Sequence, residues 1–160
     1  MRKSRWYSVS LILFLSLLVP PQMSFGQGKM EKGVAMMKEK SLYQRLGGYD
    51  AIAAVVDEFV ARIVTDKALS RFFGGTSTDS QKRFRQHLVD QVCAVTGGPC
   101  IYVGRDMKTA HGGLGITEAE WQAGVNDLVG AIDKFKVPQK EKDELLTIIS
   151  STKKDIVEKP

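Results

Sequence analysis

The sequence is poor in the residues and motifs that mark the commonest catalytic and metal-binding sites. It has 2 cysteines, 2 histidines and 5 prolines among 160 residues. Cys93 and Cys100 are not at the close CxxC spacing of structural zinc sites, so zinc binding is not indicated. No HExxH, GxSxG or P-loop motif occurs, so the enzyme classes built on those motifs have no support. The two cysteines either pair as a disulfide or remain buried thiols.

Most of the chain has nearly equal numbers of basic and acidic residues. The formal net charge is +5, from 23 basic and 18 acidic residues. Three of the basic residues lie in positions 1–26, which contain no acidic residue, so positions 27–160 hold 20 basic and 18 acidic residues. Such a near-balanced domain lacks the strongly positive surface that nucleic acid requires. We therefore expect no nucleic-acid partner.

Residues 1–26 have the pattern of a secretory signal peptide. Basic residues within positions 2–5 precede an apolar run over 9–19, and a proline pair ends that region before small residues at 24–26. The apolar run is about half the ~20 residues that a membrane-spanning helix needs. The pattern predicts export to a periplasm or cell envelope. The alternative is an uncleaved anchor, and only that alternative places the protein at a membrane.

The chain after residue 40 has the periodicity of α-helices. Residues 27–40 are polar and without strong periodicity, and we expect them to form a flexible leader. Apolar residues at three- and four-residue spacing then predict four substantial helices within one domain over 41–157. Asp50 is predicted to cap the first of these helices, and Thr117 opens a later one through a capping box. Because no alternating strand pattern competes, the predicted fold class is all-α.

A glycine-rich stretch over 98–116 interrupts the helices. It contains five glycines and is unusually long for a connection without regular structure in a compact domain. A large flat cofactor that packs against the wide apolar helix faces would explain it. His111 lies in this stretch among small residues, and His87 lies at the edge of the apolar face of the preceding helix. The two imidazoles can therefore reach one interior space from opposite walls, as a haem iron requires.

Four separated motifs resemble a truncated haemoglobin of group I. They are LYQRLGG over 42–48, FF at 72–73, GGP at 97–99 and YVGRDMKTAH over 102–111. The resemblance implies a truncated globin fold, a two-on-two helical sandwich that encloses haem b, with His111 as the proximal iron ligand. No CxxCH motif is present, so covalent c-type attachment of the haem through that motif is not expected.

The resemblance also implies roles for aromatic and polar residues around the haem. Phe73 matches the aromatic residue that stacks on the haem, and Phe59 matches one that lines the distal side. Phe84 occupies the position of a distal ligand gate. The candidates for contact with the haem edge and the propionates are Thr76, Arg83, Tyr102 and Lys108.

The distal side departs from the family pattern. Members that stabilise oxygen strongly have a tyrosine where this chain has Val60 and a glutamine where it has Leu88. A charge-assisted hydrogen bond to bound oxygen is worth roughly 1–3 kcal/mol, so this difference bears on ligand affinity. His87 matches the position from which some cyanobacterial and algal members supply a second imidazole. Three roles stay open for His87: ligation of the iron, contact with bound gas, or orientation toward solvent or a propionate.

Three classes of function follow from these expectations. The first is a haem-binding globin that reversibly binds oxygen, nitric oxide or another diatomic gas, and serves oxygen binding or transport. Nitric oxide dioxygenation is an enzymatic activity that the resemblance allows, and it requires a separate reductase because the chain has no flavin or nicotinamide motif. The second is a six-coordinate electron-transfer haem protein with His87 and His111 as ligands. The third is a haem-free helical binding module.

Overall fold

The computed structural model describes residues 39–159. The signal peptide predicted at 1–26 and all but the last two residues of the leader predicted at 27–40 lie outside the described residues. The predicted domain at 41–157 falls inside this range. Between residues 39 and 159, no helix combines the length and the apolar character needed to cross a membrane.

Helices make up almost all of the regular structure in this range, as the periodicity predicted. The bounds are Leu42–Arg45 (α1), Tyr49–Thr65 (α2), Thr78–Val95 (α3), Met107–His111 (α4), Glu118–Lys134 (α5), Gln139–Ser150 (α6) and Lys153–Ile156 (α7), with a 3-10 turn at Ser70–Phe72. The long helices α2, α3, α5 and α6 are the four that the sequence predicted. The β-type pairing in the described part of the chain is limited to one isolated parallel bridge, from Thr117 to Lys159.

Side-chain and backbone caps explain where two of these helices begin. Thr117 caps α5 and forms the predicted capping box, in which its hydroxyl accepts from the Glu120 amide and the Glu120 carboxylate accepts from the Thr117 amide. The predicted cap at Asp50 is wrong. Helix α2 begins at Tyr49, and its N-cap is Gly48 with a φ of 82°. Asp50 lies in the first turn instead, where its negative charge still favours the helix N-terminus.

Two buried hydrophobic clusters hold the long helices together. Ile52 and Val56 of α2 pack with the fully buried Val89 of α3 in the first cluster. Leu42 of α1, Ile132 of α5 and Leu145 of α6 form the centre of the second. Helix α2 packs against both α3 and α5, so it joins the two clusters.

A disulfide fixes the loop that follows α3. Cys93, near the end of α3 and fully buried, pairs with Cys100, with Cα atoms 5.7 Å apart. Gly98 makes this close return of the chain possible, because a Cβ on it would come within 2.7 Å of the Cys93 sulfur and 2.8 Å of the Cys93 carbonyl oxygen. The disulfide thereby holds the loop that carries Tyr102 against the end of α3.

We expect reduction of this disulfide to destabilise the fold by about 2–3 kcal/mol, the loop-closure entropy of so short a cross-linked segment. The measurement is the free energy of unfolding in urea with and without a phosphine reductant. The Cys93→Ser/Cys100→Ser variant is the control, because its stability must not respond to reductant. Equal stability of the oxidised and reduced wild type would contradict the expectation.

Candidate functional site

An apolar cavity of about 1390 Å³ lies inside the described domain, lined by residues of α2, α3, α4 and α5 and of the loop after α3. Ligand pockets commonly measure about 300–1,000 Å³, so this cavity is large even for a cofactor site. Protein interiors are close-packed and hold few voids larger than a water molecule. A cavity of this size in a domain of this length is therefore a binding site for a large, mostly apolar group.

The residues predicted to surround a cofactor are brought together around this cavity. Those that line it are Phe59, Phe73, Phe84, His87, Leu88, Tyr102 and His111. The rings of Phe73, after the 3-10 turn, and Phe84, on α3, have centroids 5.6 Å apart at an interplanar angle of 53°. Lys108 and Arg83 are exposed and do not line the cavity. Thr76 and Arg105 do line it.

His111 is the last residue of the short helix α4, and one of its ring nitrogens is hydrogen-bonded to the backbone. Its Nδ1 lies 2.8 Å from the carbonyl oxygen of Met107, one turn earlier. A carbonyl oxygen can only accept, so Nδ1 carries the proton and donates it. The lone pair of His111 is then on Nε2, the atom that binds a metal. In metal sites the ring nitrogen that does not bind the metal commonly donates to a backbone carbonyl, and this bond fixes the orientation of the histidine.

Helix α4 itself is positioned by a capping residue. Asp106 accepts hydrogen bonds from the Thr109 amide at 2.9 Å and from the Thr109 hydroxyl at 2.8 Å. These bonds lower the pKa of the Asp106 carboxyl, the backbone bond from Thr109 being the largest cause. The carboxylate is therefore charged at neutral pH and stabilises the first turn of a helix that ends at His111.

His87 stands on α3 and faces the cavity without a hydrogen-bond partner. Its Nδ1 is buried and unpaired among the described residues. The Tyr102 ring meets the imidazole edge-on, with centroids 6.1 Å apart and an interplanar angle of 79°. Leaving a buried polar atom unpaired costs about 1–3 kcal/mol, so such an atom in a native structure calls for a strain, catalytic, water or ion explanation. A ring with its Nδ1 buried is not oriented fully toward solvent.

Two other polar side chains at the cavity wall, those of Tyr102 and Gln91, are committed to protein partners. The Tyr102 hydroxyl donates to the Arg105 carbonyl oxygen at 2.7 Å, and burial raises the pKa of Tyr102, so the phenol stays neutral at physiological pH. Gln91 donates to the sulfur of Met107 at 3.3 Å. Val60 and Leu88 line the wall with apolar side chains. Of His87, Tyr102 and Gln91, His87 is the one whose side chain makes no hydrogen bond among the described residues.

Comparison with known proteins agrees with this geometry. Residues 41–158 match a protein family described as bacterial-like globin. The chain belongs to the bacterial-like globin family. It is 36% identical over 110 residues to the Group 1 truncated hemoglobin GlbN of Mycolicibacterium paratuberculosis, which covers 69% of this chain and 79% of that protein. It is 28% identical to the Group 1 truncated hemoglobin of Tetrahymena pyriformis, over 78% of this chain and all of that protein.

Solved globin structures confirm the predicted two-on-two fold. The 2/2 hemoglobin of Synechococcus, solved in the cyanomet state with covalently attached heme, matches with a TM-score of 0.67 and 29% identity over 74% of this chain and 98% of that chain. The Fe(III) form of the Tetrahymena pyriformis truncated hemoglobin matches with a TM-score of 0.68 and 25% identity, over the same shares. The fold class expected from the sequence is therefore correct.

The globin's cavity fits the cofactor of its family. Haem b needs a large apolar slot, an axial nitrogen ligand and aromatic packing against the porphyrin. The cavity supplies the volume, Phe73 and Phe84 supply the aromatic walls, and His111 supplies a free Nε2. His87 lines the same cavity, and its buried Nδ1 has no hydrogen-bond partner among the described residues. The protein is a haem-binding globin.

Several residues at the cavity were not predicted as site residues. The apolar face of α5 was recognised from its periodicity, but none of its residues was predicted at the site; Trp121 and Val125 of this face line the globin's cavity. Met107 and Arg105 also line it. Their signal was present in the motif over 102–111, but spacing alone does not tell which of these side chains points inward.

A salt bridge braces one edge of the globin's cavity. Arg71, in the 3-10 turn, donates to both carboxylate oxygens of Glu120, on α5, at 2.7 and 3.1 Å, and lies 4.0 Å over the ring of Phe72. Glu120, which lines the cavity, also accepts from the Thr117 amide at 2.9 Å. The Arg71 guanidinium first, and then the Thr117 amide, lower the pKa of Glu120 to about 2.

We expect Glu120→Gln to lower the stability of the globin at pH 7, with a difference from wild type that shrinks in acid. Because the pKa of Glu120 is lower in the folded state, its stabilisation is complete above about pH 4.5 and is lost as the pH falls toward 2. Urea unfolding at several pH values measures this. Glu118→Gln, in the same helical turn but exposed, is the matched control and should have the smaller effect at pH 7.

Proposed function

We propose that this globin is an exported gas-binding protein in which His111 is the proximal haem ligand and His87 is the distal polar group. The observation that carries the proposal is the pair of imidazoles at one apolar cavity, one with Nδ1 held by a backbone carbonyl and one with Nδ1 buried and unpaired. Haem b, when bound, supplies a ferrous iron that takes up oxygen, nitric oxide or another diatomic gas.

The proximal side of the site is built to present one nitrogen in one orientation. The Met107 carbonyl oxygen accepts from Nδ1 of His111, so the ring cannot rotate without loss of that hydrogen bond. The same bond makes Nε2 a better donor of its electron pair to a metal. Asp106 stabilises the helix that carries both residues.

The distal side of the site is apolar apart from one imidazole. Phe59, Val60, Phe84 and Leu88 line this wall and keep water from the ligand position. Since none of them can donate a hydrogen bond, His87 is the residue of this wall able to contact a polar gas ligand or to occupy the sixth iron position. We propose that His87 binds the iron in the absence of gas, because that role gives its uncommitted ring a partner.

Enzymatic turnover adds a requirement outside this chain. Conversion of nitric oxide and oxygen to nitrate leaves the iron oxidised by one electron, so repeated turnover requires a separate reductase. Reversible gas binding has no such requirement. We therefore propose gas binding or transport as the primary function and nitric oxide dioxygenation as an activity that depends on such a partner. Direct electron transfer through a bis-histidine haem is the alternative, and it uses the same two histidines.

The proposed location is the periplasm or cell envelope. The sequence pattern over 1–26 predicts export. The disulfide between Cys93 and Cys100 supports this location, since disulfides form and persist in oxidising compartments and are rare in the cytosol.

We expect His111→Gly to lose haem affinity by at least ~tenfold, because the change removes a metal ligand rather than one of its supporting contacts. Titration of the haem-free chain with hemin, followed by the Soret absorption, measures the affinity. Added imidazole should restore the axial ligation, which shows that the lost group was the ligand itself. A wild type that binds no haem would leave the haem-free binding module as the function, and equal spectra of wild type and His111→Gly would contradict proximal ligation.

We expect His87→Ala to convert a low-spin six-coordinate haem to a high-spin form and to speed gas association. The measurements are ferric and ferrous absorption spectra and stopped-flow binding of carbon monoxide and nitric oxide. Gln86→Ala, at the exposed neighbouring position of α3, is the matched control and should leave both unchanged. If the wild type is already high-spin but its gas dissociation is slower than that of His87→Ala, His87 contacts the ligand only. Identical behaviour of the two proteins would contradict any distal role.

A further inference from the structure

Residues 157–159 form a short extended segment after α7 that pairs with the loop directly following His111. The amides of Glu158 and Lys159 donate to the Ile116 carbonyl oxygen at 2.9 and 3.2 Å, and the Glu118 amide donates to the Lys159 carbonyl oxygen at 3.1 Å. The isolated parallel bridge from Thr117 to Lys159 belongs to the same contact. A segment some 45 residues away in the sequence is therefore joined to the proximal loop.

The side chain of Glu158 holds this loop more directly than the backbone does. One carboxylate oxygen accepts from the Gly113 amide at 2.6 Å and the other accepts from the Gly115 amide at 2.5 Å. Both glycines have positive φ, 82° and 63°, which turns their amides toward the same point. Backbone amides that converge in this way form an anion-binding concavity, and the Glu158 carboxylate fills it.

The loop held by Glu158 is continuous with the helix that ends at His111. The Gly112 amide donates to the Lys108 carbonyl oxygen at 2.9 Å, and the Leu114 amide donates to the His111 carbonyl oxygen at 3.1 Å. Helix α4 has five residues, far fewer than a helix needs to be stable by itself. Its position is therefore set by what holds its ends. Asp106 holds the start, and the loop held by Glu158 holds the end, while α7 packs beside the helix.

We propose that Glu158 is a positioning residue for His111, which sets the strain on the proximal bond by fixing the loop over residues 112–116. The inference rests on the proposed function, since it needs His111 to be the iron ligand. The Glu158 side chain does not line the haem cavity; its carboxylate acts through the backbone amides of Gly113 and Gly115. These two amides also lower the pKa of the Glu158 carboxyl, with Lys159 as a smaller contributor, so the carboxylate is charged at neutral pH.

The first test is amide hydrogen exchange of the purified wild-type chain and its variants. In Glu158→Ala the amides of Gly113 and Gly115 should exchange on the order of tenfold faster, because each loses a charge-assisted hydrogen bond. Glu158→Gln retains one acceptor oxygen and should lie between Glu158→Ala and wild type. Asp155→Ala is the matched control, since it removes an exposed carboxylate of α7 that makes no side-chain hydrogen bond among the described residues. Equal exchange in all four proteins would overturn the inference.

The second test asks whether the loop controls the proximal bond. In a His87→Ala background we expect a five-coordinate ferrous haem, whose iron–histidine stretching band can be recorded by resonance Raman. The band should shift in Glu158→Ala, shift less in Glu158→Gln and stay in place in Asp155→Ala. A purely structural role of Glu158 would speed exchange without moving the band, and that result would overturn the positioning role.

The two proposals fail in different ways. If His111→Gly keeps the wild-type haem spectrum, His111 is not the ligand, and both the proposed function and this inference are overturned. If His111 is the ligand but the iron–histidine band is insensitive to residue 158, the inference alone is overturned.

Discussion

The organising constraint in this protein is an interior too large for its own side chains to fill. Helix α2 packs against α3 and against α5, yet the apolar faces of these helices also line a cavity of about 1390 Å³. Two hydrophobic clusters, centred on Val89 and on Ile132, hold the helices around this space. Because close packing is the normal state of a protein interior, the stability of the domain is coupled to the group that occupies the cavity. Folding of this domain and binding of its cofactor are therefore energetically coupled.

The two walls of the cavity are constructed differently. On the proximal side, His111 is surrounded by hydrogen bonds: its ring is held by the Met107 carbonyl, and its helix is held at the start by Asp106 and beyond the end by Glu158. On the distal side, Val60 and Leu88 present hydrocarbon, and His87 carries the unused hydrogen-bonding capacity. The proximal wall sets the orientation of the His111 imidazole. On the distal wall, the polar contacts open to a bound gas depend on the rotamer and the partner of the His87 imidazole.

The edges of the cavity are held by contacts between residues far apart in the sequence. The disulfide from Cys93 to Cys100 keeps the loop with Tyr102 beside α3, where the tyrosine ring meets His87. The bond from Arg71 to Glu120 joins the turn after α2 to the start of α5. Loops of this length and glycine content are mobile unless tied down. These ties allow a small all-α domain to keep a wide opening without losing the positions of its ligands.

Local sequence determined what local interactions control. Periodicity located the four long helices, the Thr117 capping box was readable from its spacing to Glu120, and short motifs pointed to His111, Phe73 and the other cavity residues by resemblance. Where two nearby residues compete for a local role, the sequence was misleading: Gly48 rather than Asp50 caps α2, because a positive φ at Gly48 sets the helix entry.

Tertiary structure decided everything that depends on distant atoms. It paired Cys93 with Cys100, turned Arg105 rather than Lys108 to the cavity, and set the carboxylate of Glu158 on the amides of Gly113 and Gly115. No periodicity or spacing encodes these contacts, since each depends on how separate helices and loops pack in three dimensions.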